Sequence, residues 1–214
     1  MTIERFIVLD LDRTLLDTGV YSELLLRVLL APELQAEARE VVASSTGASF
    51  DFLEYLLRQS GINYEKAFEK VLQAVMPGDN KLLMPGAAEL IAFLAISGEH
   101  HGILTTGTVP NQSLKVAVLQ RITRQAIPAE VTSVPNKSAD FVQNRRRGNL
   151  FYITPQLSGV SSGLMAKTII LIDDKASNLT ESHPHIIAMH VPANPTTQSH
   201  TLESIGHYIK RTFS

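Results

Sequence analysis

The sequence predicts an α/β protein: a Rossmann-like, doubly wound parallel sheet with a small α-helical unit inserted after the first strand. Three observations predict it. Short apolar runs recur along the chain, several ending in acids or hydroxyls. Helical signals fill most of the intervals between them. The stretch 20–76, by contrast, carries apolar residues at helical spacing and no convincing strand. The main α/β core is therefore expected over 1–17 and 80–214, and the helical insertion over 18–79.

The first run, 6–9, breaks into Asp10-Leu11-Asp12 and suits a buried parallel strand whose carboxyl end opens onto a site. Within the insertion, Pro32 stands where a helix can begin, Gly61 where one can end, and Asn63 where the next can be capped. The leucine-rich stretch 24–30 reads as helix core. Pro85-Gly86 introduces a helix over 87–96 that Gly98 stops. Further strands are expected at 102–104, 129–134, 168–172 and, more weakly, 186–191, with a closing helix over 201–210. The segment 148–165 has no firm period and reads as a loop with a short irregular element.

At 214 residues the chain has room for one substantial core plus an accessory unit. Its 44% hydrophobic and 19% charged residues, with a formal net charge of -2, give no reason to expect a nucleic-acid or membrane-surface protein. It contains no cysteine, which excludes disulfides, thiolate metal sites and thiol nucleophiles; any metal must be held by oxygen or imidazole. The amino-terminal apolar run breaks too soon for a signal-peptide core or a membrane span, so a cytoplasmic protein is the simplest reading.

Three predicted strand ends carry groups that could do chemistry. Asp10 and Asp12 are separated by one residue, and a turn starting there can bring both to one pocket. The plainer reading is a strand-end turn with solvated acids. Asp173-Asp174 follows the most hydrophobic run in the chain. Ligands of open α/β sheets bind at the carboxyl ends of strands, so the two acidic ends could converge there. Clustered carboxylates repel, and a hard cation such as Mg²⁺ relieves the repulsion through oxygen ligands. After 102–104 come Thr105-Thr106-Gly107-Thr108, hydroxyl and amide donors suited to a phosphate oxygen, or simply a helix cap.

In this joint arrangement Asp10-Leu-Asp-Arg-Thr-Leu-Leu-Asp17 resembles the Asp-x-Asp-x-Thr signature of haloacid dehalogenase superfamily phosphatases. Ile172-Asp-Asp-Lys-Ala-Ser-Asn178 resembles their acidic fourth motif, and the segment from Met84 to Gly107 their helix and second motif. The resemblance implies a haloacid dehalogenase-like core with a helical cap, and a phosphatase with Asp10 as nucleophile and Asp12 as general acid/base. It further implies an aspartyl-phosphate intermediate, and Mg²⁺ held by Asp10, the Asp12 carbonyl, Asp173 and Asp174. Thr105 and Thr106 would bind the phosphoryl group together with a lysine. Lys137, at a plausible helix start, is the choice for that lysine; Lys167 competes but precedes its strand and should lie at the far end of it. Arg13 stands where many relatives carry glycine.

The expected partner is a small phosphorylated metabolite. A phosphotransferase or mutase, or a regulatory protein that binds a phosphoryl ligand without turnover, remains an alternative. Arg145-Arg146-Arg147 reads as solvated surface. His100, His101, His183, His185 and His190 read as surface or packed residues, because no spacing sets several imidazoles on one helix face with a carboxylate. Oligomeric state is not legible.

Overall fold

A computed structural model describes residues 1–44, 51–192 and 201–213. Strand β1 (Thr2–Leu9) is followed by four helices, α1 (Thr18–Leu29), α2 (Pro32–Ser44), α3 (Phe52–Ser60) and α4 (Tyr64–Ala74). After α5 (Ala87–Ser97) come β2 (His101–Thr106), α6 (Val109–Thr123), β3 (Ala129–Thr132) and the short α7 (Lys137–Asp140), which runs into a wide helical turn, Phe141–Arg145. The chain then forms β4 (Arg146–Arg147), β5 (Leu150–Ile153), α8 (Pro155–Ser158), β6 (Leu164–Asp173), β7 (Ile186–His190) and α9 (Leu202–Phe213).

The mostly parallel, doubly wound sheet expected from the sequence is present, in the order β3-β2-β1-β6-β5-β4. β1 lies between β2 and β6, parallel to both. The far edge of β6 is shared: β5 pairs antiparallel with its first residues and β7 parallel with its last. Strand side chains alternate between faces, and so the core divides in two. Ile7, Leu9, Ile103, Ile170 and Ile172 pack with α1, α5, α6 and α9. Phe6, Val8, Leu104, Ile169 and Leu171 pack on the other face with Phe141, Phe151 and Leu157. The apolar half of β1, Phe6 to Leu9, is wholly buried because it contributes to both.

The described residues of segment 18–79 contain no strand. Asp17 caps α1 by accepting from the amides of Gly19 and Val20, and Asn63 caps α4 by accepting from that of Lys66. Gly61 ends α3 at φ 67°, a left-handed conformation that glycine adopts without steric cost. Leu24, Leu25, Leu26 and Leu29 bury one side of α1, against α3 and α4, and α4 rests on α6. No helix among the described residues is long and apolar enough to cross a membrane.

Two features differ from the sequence reading. Segment 148–165 is not an irregular loop: β5 forms an antiparallel hairpin with β4 and pairs with β6, which begins at Leu164 rather than at 168. Strands of two and four residues are too short to display a period. Nor is the basic triplet uniformly solvated. Arg146 and Arg147 are exposed, but Arg145 is buried over the Phe141 ring, with Nε 2.6 Å from Asp140 and Nη2 2.7 Å from Glu130. Two carboxylates compensate the buried guanidinium, and the break from helix to strand turns Arg145 away from its neighbours.

Candidate active site

The carboxyl ends of β1, β2 and β6 lie side by side, and the groups singled out in the sequence sit there. Past β1 the chain stays bound to the sheet through the Asp10 amide, which donates to the Ile172 carbonyl at 2.8 Å. It then turns sharply. The amides of Leu15 and Leu16 both donate to the Leu11 carbonyl, at 3.0 and 2.9 Å, and that of Arg13 to the Leu16 carbonyl at 2.9 Å. Arg13 holds the turn at φ 61°, a left-handed conformation costly for a side chain with a Cβ.

Lys137 joins the first and last strand ends. Its ammonium donates to Asp10 Oδ1 and, at 2.6 Å, to Asp173 Oδ2. All three groups are buried. The position follows from a local cap: the Asn136 side chain accepts from the Ala139 amide at 3.0 Å and starts α7, with Lys137 as its first residue. Lys167 is exposed and pairs with Glu4. It precedes Asp173 by six residues in β6, roughly 20 Å along an extended strand.

Other donors fix the two acids. Thr14 Oγ1 donates to Asp10 Oδ2 at 3.0 Å. Asn178 Nδ2 lies 3.0 and 3.1 Å from the two oxygens of Asp173, and the Lys175 amide donates to Asp173 Oδ1 at 2.8 Å. Asp174, half-buried, brings a carboxylate oxygen into a group with oxygens of Asp10 and Asp173, all within 4.8 Å of one another.

Burial pushes the Asp10 carboxyl up to about 7; the Lys137 ammonium opposes the rise and the Asp173 charge adds to it. Burial, then the Asp173 charge, also raises Asp174. With all three acids ionised, one ammonium would leave two negative charges uncompensated. A set of hard carboxylate oxygens with that residual charge suits a divalent cation of the Mg²⁺ type.

Asp12 lies on the side toward α6. Lys115 Nζ is 2.6 Å from its Oδ1 and Gln112 Nε2 3.1 Å from its Oδ2. Gln112 Oε1 accepts from Thr105 Oγ1 at 3.2 Å, so the end of β2 joins the same network. Thr106 follows in the strand, half-buried, and faces away from Thr105. Sequence reasoning missed Gln112 and Lys115, although a signal was there: they continue, at helical spacing, the apolar stripe of Leu119 and Ile122. Thr14 and Asn178 lie inside the quoted motifs, which by themselves assign them no role. Of the histidines, His190 Nε2 bonds the Asp174 carbonyl at 2.8 Å, while His183 meets Phe151 edge to face and lies tilted against His185.

No protein-family model matches the sequence, and no curated protein matches it. Solved structures do match. A protein named as a haloacid dehalogenase-like hydrolase, from Burkholderia xenovorans, superposes with a TM-score of 0.54 at 14% identity, over 97% of each chain. One named as a β-phosphoglucomutase, from Thermotoga maritima, superposes with a TM-score of 0.50 at 15% identity, over 99% of this chain and 100% of the other. The chain thus has the haloacid dehalogenase-like fold, with its acids at the strand ends where ligands of such sheets bind.

Proposed function

We propose that the protein is a phosphomonoester hydrolase that works through an aspartyl-phosphate on Asp10 and requires Mg²⁺. The observation that carries this reading is the junction of Asp10, Lys137 and Asp173: a buried carboxylate beside an ammonium, with a second and third acid in reach.

In the first displacement an Asp10 oxygen attacks phosphorus, the bond from phosphorus to the alcohol oxygen breaks, and Asp12 gives that oxygen its proton. In the second, water attacks phosphorus, Asp12 takes its proton, and the bond to Asp10 breaks to release phosphate. Lys137 faces the charge shared by nucleophile and phosphoryl group, and in this reading the Thr105 hydroxyl gives up its bond to Gln112 to donate to a phosphoryl oxygen, while the Thr106 side chain faces the other way. Asp10, Asp173, Asp174 and the Asp12 carbonyl would hold Mg²⁺, which when bound supplies charge neutralisation for the phosphoryl oxygens.

The helical segment 18–79 acts as a cap in this reading. Two of its contacts with the core fall beside the end of β2: Tyr64 Oη donates to the Pro110 carbonyl at 3.0 Å, and Thr108 Oγ1 donates to Asp51. Tyr21, on α1, buries a hydroxyl that has no hydrogen-bond partner among the described residues. Burial and then the Asp12 charge hold that phenol protonated, so it remains a donor for a polar group of the substrate.

The test is phosphate release from an aryl phosphate and a panel of metabolite phosphates, with Mg²⁺ and with chelator, for wild type and Asp10→Asn. Metal-dependent release by wild type alone is expected. Release that survives in Asp10→Asn would exclude Asp10 as nucleophile, and no release from any ester would favour a binding or regulatory protein.

A further inference from the structure

Asp12 is gripped from outside its own turn. Lys115 and Gln112, three residues apart on α6, each donate to a different oxygen of its carboxylate. Lys115 is only 7% exposed, and its ammonium stands 5.7 Å from the centre of the Tyr21 ring. Packing does not call for a lysine there. The position continues an apolar stripe, and a buried ion pair is in general no more stabilising than an apolar replacement of similar size.

What the pair does achieve is orientation. The Asp12 side chain is 26% exposed, with water as an alternative partner and its own torsions to turn about. Donors on both oxygens fix the plane of the carboxylate, while each oxygen keeps a second lone pair. Proton transfer needs hydrogen-bond reach, so its rate follows the fraction of time the carboxyl faces the departing oxygen.

We infer that Lys115, assisted by Gln112, is a positioning residue for Asp12 in the hydrolysis proposed above, on which this inference rests. The proton passes from Asp12 to the alcohol oxygen as the phosphorus–oxygen bond breaks. An alkoxide needs that proton to leave; a dinitrophenolate does not. Loss of the grip therefore weighs on esters of ordinary alcohols and spares activated aryl esters.

The experiment compares kcat/KM for glycerol 1-phosphate and 2,4-dinitrophenyl phosphate, in the full-length protein with Mg²⁺. Positioned general acids contribute about 10²–10⁴-fold. Lys115→Met should accordingly reduce the glycerol ester at least about tenfold more than the dinitrophenyl ester, and Lys115→Arg should restore most of the difference. In an Asp12→Asn background, Lys115→Met should lower the glycerol ester no further, because two changes to one unit do not add. Lys115→Gln takes the place of the methionine variant if that one does not fold.

Equal losses on both esters, or full additivity with Asp12→Asn, would overturn the positioning role while leaving the hydrolase reading intact. Wild type that cleaves the dinitrophenyl ester alone would overturn it too. Release from neither ester, or release unchanged in Asp10→Asn, would instead remove the parent reaction.

Discussion

Asp10→Asn should stabilise the metal-free protein, and by an amount that grows with pH. In the folded chain the Asp10 carboxyl sits at about 7, against an ordinary value of 3.8. The folded state thus holds the proton more tightly than the unfolded one. The stability this contributes is fully present below about pH 4 and is lost as pH rises through about 7. A displacement of about three units corresponds to roughly 4 kcal/mol at full ionisation, of which roughly 2–3 kcal/mol falls between pH 5 and pH 8. Asparagine is neutral at every pH and leaves Lys137 paired with Asp173, so it escapes this loss. The assay is thermal unfolding of both proteins in chelator across that range, with a gap at pH 8 of roughly 5–15 °C for a chain of this size. Saturating Mg²⁺ should narrow the gap, because the cation binds the ionised ligand more tightly. A wild type at least as stable as Asp10→Asn at pH 8 in chelator, or a gap that does not change with pH, would refute the reasoning.

Three further substitutions probe the site and the fold. Lys137→Met leaves the buried Asp10 and Asp173 without their shared cation; urea unfolding in chelator should show a loss of about 3–5 kcal/mol, part of it recovered with Mg²⁺. Gly102→Ala would set a Cβ 2.1 Å from the Leu157 carbonyl oxygen, where β2 meets α8. Backbone must move, and a loss of roughly 3 kcal/mol or failure to fold is expected. Arg13→Gly removes a left-handed strain of about 1–2 kcal/mol but frees the unfolded chain, so urea unfolding should show a net gain of up to about 1 kcal/mol. A loss instead would assign the Arg13 side chain a stabilising contact.

What was legible in the sequence was whatever a short window records. The apolar runs that become β1 and the second half of β6 end in the acids they position. Pro32, Gly61 and Asn63 mark helix ends because capping is a local matter of torsions and near amides. Lys137 could be set ahead of Lys167 because the latter precedes its strand and therefore belongs at the opposite end of the sheet. What was not legible depends on partners far along the chain. Arg145 is buried only because Glu130 and Asp140 meet it. Lys115 reaches Asp12 from 103 residues away. The hairpin of β4 and β5 exists because the first residues of β6 offer it an edge, a condition that no periodicity in 146–153 encodes.

The central claim is that Asp10 carries the phosphoryl group, and trapping it there is the most direct test. Wild type and Asp12→Ala, mixed with an aryl phosphate and Mg²⁺ and quenched in acid within the first turnover, would be digested and analysed by mass spectrometry. The account predicts one added phosphoryl group on the peptide containing Asp10, more of it in Asp12→Ala because the base for the second displacement is missing, and none in chelator. Phosphate released with no phosphorylated peptide in either protein, or a phosphoryl group on another residue, would contradict it.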